Sequence, residues 1–199
     1  AEHSGIHTFH IGKGAKVKYV EKHYASGDGN GENVMNPATA IILEEGARME
    51  METTQIKGID STVRETSATL AAGAELIIRE KIYTHGKQLA KTDFSVDLNG
   101  EGAGADIVSR SVAAENSRQE FEMRINGNEK CHGHSECDAI IMDDAHVTAV
   151  PALAANCVDA ELIHEAAIGK IAGEQLLKLM TLGLTEHEAE EQIIKGFLS

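Results

Sequence analysis

The feature that most constrains this chain is a dipeptide that returns at nearly even intervals. Gly14-Ala15, Gly46-Ala47, Gly73-Ala74 and Gly102-Ala103 each stand just ahead of a strand-like run, and their glycines are 32, 27 and 29 residues apart. Between and beyond them, Lys16-Val17-Lys18-Tyr19-Val20, Arg48-Met49-Glu50-Met51-Glu52 and Gln119-Glu120-Phe121-Glu122-Met123-Arg124-Ile125 alternate polar with apolar. Period two sends alternate side chains to opposite faces of a strand. Glu75–Arg79 and Ala139–Met142 are more continuously apolar. Each interval holds two or three such runs and no helical pattern of about 12 residues, which argues against a βαβ sheet. Repetition at this spacing marks stacked units that cannot bury their own apolar face alone. The expected fold is therefore mainly β, a solenoid; an antiparallel sandwich with repeated glycine turns is the alternative. Gly27-Asp28-Gly29-Asn30-Gly31 has nothing apolar to bury and reads as an exposed loop.

Composition narrows the function. With 199 residues, 18 basic and 32 acidic side chains, the net charge is −14, which excludes a simple nucleic-acid backbone binder. The length suits one sizeable domain. Aromatics are 4% and Trp is absent, so the core must be built from Ile, Leu, Val, Ala and Met. Three Cys cannot make a disulfide scaffold and point to a reducing compartment, the cytoplasm. No apolar run approaches the roughly 18 residues of a membrane span. The chain opens at Ala1-Glu2-His3 with no initiator Met or signal-like start, as though cut from something longer.

From Gly169 the period changes to helical. Leu176, Leu177, Leu179 and Met180 cluster, then stop at Leu182-Gly183. Thr185 with Glu188 three residues on is a capping box opening a second helix, along which Ala189, Ile193 and Phe197 form a stripe backed by Ile194. The expected organisation is a β-domain over residues 1–168 and a helical hairpin over 169–199. The stripe either packs on the end of the solenoid or is offered to a partner.

The densest constellation is Cys131-His132-Gly133-His134-Ser135-Glu136-Cys137-Asp138. Thiolate with imidazole suits zinc, iron or an iron–sulfur cluster. The spacing fits no standard zinc finger. On one straight strand Cys131 and Cys137 would share a face about 20 Å apart, at roughly 3.3 Å per residue, too far for one ion. Gly133 permits a bend, and a second chain can supply ligands; a plain buried thiol is the other reading of Cys137. His164-Glu165 sits where strand is expected to give way to helix, the one arrangement in which both could face one ligand. Cys157 reads as structural, and His3, His7 and His10 as a solvated edge. There is no phosphate-binding loop of the Gly-x-x-x-x-Gly-Lys-Ser/Thr kind, no Gly-x-Ser-x-Gly elbow, and no acidic pair that stands out as acid and base.

Three segments in order carry a resemblance. Phe94-Ser-Val-Asp-Leu-Asn-Gly-Glu-Gly-Ala103 resembles the strand-plus-turn unit of the SufB/SufD family of iron–sulfur cluster assembly scaffolds. Ser135-Glu-Cys-Asp-Ala-Ile-Ile-Met142 is similar to its Gln-Cys-Asp-Ser segment. Leu162-Ile-His-Glu-Ala-Ala-Ile-Gly-Lys-Ile171, Gln175-Leu176, Gly183-Leu-Thr-Glu186 and Ile194-Lys-Gly-Phe197 are similar to its His-Glu-Ala segment and terminal helices. The form around Cys131 resembles the short, single-paralogue version of archaeal-type systems. The resemblance implies a right-handed parallel β-helix, terminal helices that dock a SufC-like ABC-type ATPase, and a homodimer through the β-helix with a transient iron–sulfur cluster at its interface. By position it puts the scaffold cysteine on Cys137 and the interface ligands on His164 and Glu165, so that Cys137 of one subunit meets His164 of the other. Cys131, His134 and Glu136 complete the candidate ligands. Val96 stands where the larger paralogue has a sulfur-receiving cysteine, Ile163 precedes the histidine where an acid is expected, and the family's N-terminal segment is missing.

The expected function is a non-catalytic, cytoplasmic scaffold for cluster assembly and transfer, with a sulfur donor and apo-protein acceptors as further partners and no membrane. Two alternatives stand beside it: a β-helix polysaccharide hydrolase or lyase, and a structural adaptor with inert thiols. Four Phe, three Tyr and no Trp leave little for a sugar-binding groove.

Overall fold

The structure, a computed structural model, describes residues 2–24 and 33–199. The glycine-rich run 27–31 lies outside them. The chain forms β1 (Glu2–Ile11), β2 (Lys16–Tyr24), β3 (Val34–Leu43), β4 (Arg48–Lys57), β5 (Ser61–Leu70) and β6 (Glu75–Thr84). It continues through β7 (Leu89–Leu98), β8 (Gly104–Ala113), β9 (Arg118–Gly127), β10 (His132–Ile141), β11 (His146–Ala155) and β12 (Glu161–Gly169). Two helices follow, α1 (Gly173–Thr181) and α2 (Glu186–Phe197).

Odd strands make one six-stranded sheet and even strands another, each in sequence order, and every adjacent pair is parallel. That is a parallel β-solenoid in which each coil gives one strand to each sheet. No connection between paired strands needs a helix, because the chain reaches the next rung by passing through the opposite sheet.

The Gly-Ala repeat is the corner of this stack. Gly14, Gly46, Gly73 and Gly102 all have φ between 63° and 75°, the left-handed region open to glycine at little cost. Their N–H groups donate to Glu45, Ala72, Glu101 and Lys130 of the next coil, at 2.7–2.9 Å. At the opposite corner Glu115 (φ 59°) and Asp143 (φ 52°) take the same conformation without glycine. Their carboxylates offset the cost: Glu115 accepts from the Gly86 N–H at 2.8 Å and Asp143 from the Glu115 N–H at 3.0 Å. An asparagine ladder, Asn156 to Asn128 to Asn99, ties the last three coils on the Gly-Ala side.

The inside of the solenoid has two halves. Beside the Gly-Ala corner it is apolar, with Leu43, Met49, Leu70, Leu76, Leu98 and Ile125 fully buried. Further along the strands it turns polar, with Glu21, Arg64, Glu80, Thr92, Ser109 and Gln119 buried. Arg64 Nη1 donates to Glu21 at 3.2 Å and its Nε lies 3.8 Å from Glu80, while Ser109 and Thr92 hydroxyls donate to Glu80 at 2.8 and 3.2 Å.

Both helices appear where the period changes, and the Thr185–Glu188 capping box is formed. Their place differs from a cap on the solenoid end. Val108 and Val112 point outward from β8 by alternation yet are buried, Glu191 lies near enough to Tyr83 to act on its phenol, and Ser199 shares a cleft with Arg79 and Lys81. α2 therefore lies against the outer face of the even-strand sheet, with Ala189 fully buried, and α1 packs on α2. The outer face there carries Tyr83 and Val112, an apolar strip. No described helix is long and apolar enough to cross a membrane.

Candidate functional site

β10 runs unbroken from His132 to Ile141, so Gly133 makes no bend. Gly133 answers a different need: a Cβ there would come within 2.9 Å of Leu162 and 3.0 Å of Ile125. Cys131 and Cys137 consequently stay about six strand residues apart, at roughly 3.3 Å each. Cys131 occupies the corner rung that Ala15, Ala47, Ala74, Ala103 and Ala160 hold in the other coils, and its carbonyl accepts from Glu161 N–H as those of Ala15, Ala47, Ala74 and Ala103 accept from the next coil. Its larger thiol fits because the neighbouring strand ends in Gly127, where a Cβ would stand 3.0 Å from the sulfur. Burial pushes the Cys131 thiol above its ordinary pKa. Cys157, half-buried, lies in the last turn of the same corner.

Alternation along β10 divides the remaining candidates. Gly133, Ser135, Cys137 and Ala139 face inward and are buried; His134, Glu136 and Asp138 face outward and are half-buried. β12 continues to Gly169, so His164 and Glu165 are inside a strand rather than at its end. The expected boundary is thus displaced by about one turn of chain, because β12 keeps its ladder with β10 as far as Gly169. His164 faces inward with Leu162, and Glu165 faces outward and is exposed.

The inward set is Cys137, Ser135 and His164. His164 pairs laterally with Ser135, and the two are hydrogen-bonded at 2.8 Å through Nδ1 and Oγ. Cys137 is two residues along the same face, so its Cα is about 8 Å from that of His164, given strands about 4.8 Å apart and a 3.3 Å rise. A ring that donates Nδ1–H to Ser135 keeps a lone pair on Nε2. Burial, then the charge of His134, holds His164 below the usual imidazole pKa, so it is neutral. Burial pushes the Cys137 thiol up to about 12, helped by the nearby charge of Glu80. Cys137 also stands in a column, Glu21–Thr53–Glu80–Ser109–Cys137, with one residue from each even strand from β2 to β10.

The outward set is His134, Glu136 and Glu165, whose ligand atoms all lie within 4.8 Å of one another. Glu136 and Glu165 are directly opposite on neighbouring strands. His134 Nδ1 is 2.8 Å from Asp106 Oδ1, and its Nε2 is 3.4 Å from Glu165. The bond to Asp106 raises the His134 pKa, with a smaller contribution from Glu165. Arg79 pairs with the other Asp106 oxygen. A hydrogen bond with Asp138, aided by burial, raises the Glu136 carboxyl.

His3 and His7 face inward on β1 and His10 outward, bonded to Glu44 at 2.8 Å, so the three do not converge. Phe94 and Phe121 are buried in the core and line no groove. Sequence reasoning missed Asp106, Arg79, Glu80 and Ser109. The signal was the coil period: Asp106 is 28 residues before His134, and Ser109 is 29 after Glu80.

A family model described as "SUF system FeS cluster assembly, SufBD core domain" matches residues 3–197. The chain belongs to the SufBD family. Among SufBD relatives, one described as an iron-sulfur cluster assembly SufBD family protein of Methanocaldococcus jannaschii is 34% identical over 190 residues, covering 94% of this chain and 60% of its own length. Similarly described proteins of Methanothermobacter thermautotrophicus and Pyrococcus horikoshii are 30% and 32% identical, over 100% and 98% of this chain and 48% and 60% of theirs. The chain thus spans about half to three fifths of the length of these SufBD relatives.

Proposed function

We propose that this SufBD core is a scaffold on which an iron–sulfur cluster is built and from which it is passed on, the cluster being cargo rather than a resident group. The observation that carries this reading is the sharing of one inner face by Cys137 and His164 in the last two coils. Thiolate with neutral imidazole is a donor set suited to iron–sulfur chemistry. A thiol pushed up to about 12 stays protonated until a metal displaces the proton, so Cys137 is quiet when unloaded and a ligand when iron arrives.

Two such ligands are too few to hold a cluster. β11 and β12 end their sheets in the described chain, and they carry exposed Val150, Leu153 and Ile163. Strand edges of this kind invite pairing with another chain. A second copy docked there forms the homodimer and adds its own Cys137 and His164. Cys131 lies in the same coil as Cys137 but at the Gly-Ala corner, and contributes as a second thiolate only if the corner opens.

The energy for assembly comes from an ABC-type ATPase of the SufC kind. Its seat is the free side of α1, where Leu177, Met180 and Leu182 are exposed. The scaffold itself carries no catalytic group, acts in the cytoplasm, and exchanges sulfur and cluster with donor and acceptor proteins. Anaerobic reconstitution with iron and sulfide is the test. It gives cluster absorbance in the native chain and none in Cys137→Ser; an undiminished cluster in that variant overturns the role of Cys137.

A further inference from the structure

The outward set on β8, β10 and β12 has no part in the inner face. Glu136 and Cys137 are consecutive and point to opposite sides of the sheet, so an ion held by Glu136 is walled off from the thiol. Three features give this outer cluster the build of a metal site rather than of an ordinary solvated face.

The first is orientation. A metal-ligating histidine commonly donates its other ring N–H to a carboxylate, which fixes the tautomer and the ring plane. Asp106 is in that position, 2.8 Å from His134 Nδ1, and is itself held by Arg79, whose Nη1 also donates to the Asp106 carbonyl at 3.1 Å. His134 Nε2 is left aimed at Glu165, 3.4 Å away.

The second is an unbalanced charge. Glu136 and Glu165 stand directly opposite on paired strands, an arrangement that is destabilising for like charges. Asp138 and Asp106 add two more carboxylates on the same face, against Arg79, Arg110 and His134. A cation between the two glutamates removes the repulsion.

The third is access. His134 and Glu136 line a cleft of about 560 Å³ together with Arg79, Asp106 and Arg110, open to a hydrated ion. Ligand atoms around a divalent first-row ion with bonds near 2.1 Å are about 3 Å apart, so ligand atoms within 4.8 Å close on an ion by small side-chain rotations.

We propose that His134 Nε2, Glu136 and Glu165 form a thiolate-free site for a divalent first-row metal ion on the outer face of the sheet, with Asp106 as the positioning residue for His134. One nitrogen and two carboxylates suit Fe(II), Mn(II) or Zn(II) with water filling the remaining positions. The choice of iron among these rests on the assembly reading, and it makes the site a holding place for ferrous iron on the far side of the wall from Cys137. The existence of the site does not depend on that reading.

Anaerobic titration of the full chain with Mn(II), followed by loss of the free-ion EPR signal, tests the site. One Mn(II) is bound per chain, and Fe(II) competes for it. Glu136→Gln and His134→Ala each weaken binding at least tenfold, and Asp106→Asn weakens it roughly 10- to 100-fold, the range for a lost orienting partner. Cys137→Ser binds Mn(II) as the native chain does. Native-like Mn(II) binding by both Glu136→Gln and His134→Ala, or its loss in Cys137→Ser, overturns the proposal. A chain that assembles a cluster but binds no Mn(II) refutes this site alone. A chain that binds Mn(II) here but reconstitutes equally well without Cys137 refutes the scaffold role of that thiol alone.

Discussion

Ser135 Oγ and His164 Nδ1 lie 2.8 Å apart across the ladder between β10 and β12. This bond sets the ring of the one inward-facing histidine near Cys137, and it joins residues 29 apart in sequence. The ring is neutral because it is partly buried and because His134, on the other side of the wall, repels a second positive charge.

That repulsion is measurable. In a pH titration followed by NMR, His164 titrates below the ordinary imidazole range of about 6.5. His134→Ala removes the neighbouring charge and moves the His164 midpoint upward, with burial still holding it below the ordinary value. A midpoint that does not move shows that the two rings are not coupled.

The three cysteines differ in reactivity in a defined order. Cys137 is fully buried with its thiol pushed up to about 12, Cys131 is buried and raised, and Cys157 is partly exposed. Since the thiolate is the nucleophile, iodoacetamide at pH 8 labels Cys157 first and Cys137 last, the latter at least 100-fold more slowly than in urea. All three fall on the single tryptic peptide 131–170, so fragment-ion mass spectrometry over time reads the order; fast native labelling of Cys137 contradicts it.

The buried Glu21–Arg64–Glu80 chain makes stability depend on pH in two directions. Glu80 is raised by burial, against the pull of Arg64 and the Ser109 and Thr92 hydroxyls. It keeps a proton in the folded chain that the unfolded chain has lost. Stability therefore falls as pH rises from the ordinary carboxylate value to that of Glu80, by up to about 1.4 kcal/mol per unit. Glu80→Gln removes this slope in urea unfolding series. Glu21 is also pushed up by burial, but His23 and Arg64 outweigh that and hold it below the ordinary value. Its contribution is present above that value and lost as pH falls below it. Arg64→Met removes the buried cation that faces both the Glu21 and the Glu80 carboxyl groups and costs about 3–5 kcal/mol.

The exposed side of α1 is separable from the fold. Leu177 and Leu182 are 63% and 75% exposed, so Leu177→Glu with Leu182→Glu removes little packing. The pair lowers affinity for the ATPase partner at least tenfold while the thermal midpoint stays within 2 °C or so, as expected of surface changes. Retained affinity, measured by calorimetry, removes α1 as the docking face.

The coil architecture was legible in the sequence because it rests on local rules. Period-two alternation decides which residues of a strand share a face. The recurrence of Gly-Ala marks a corner whose left-handed backbone glycine adopts at little cost. The capping box at Thr185 and the stop at Gly183 are local in the same sense. Sequence alone also singled out Cys137, His134, Glu136, His164 and Glu165. It did not sort them, because sorting needs register: which face a residue meets is local, but which residue stands beside it is set by a partner 27 to 32 positions away. The ladder between β10 and β12 carried the strand past His164 and Glu165 and turned the two apart. Ladders across β8 brought Asp106 to His134 and Ser109 to Glu80. Tertiary stacking therefore decided which histidine stands beside the thiol inside the wall and which carboxylates gather beside His134 outside it, since only the summed burial of neighbouring coils fixes where one coil sits on the next.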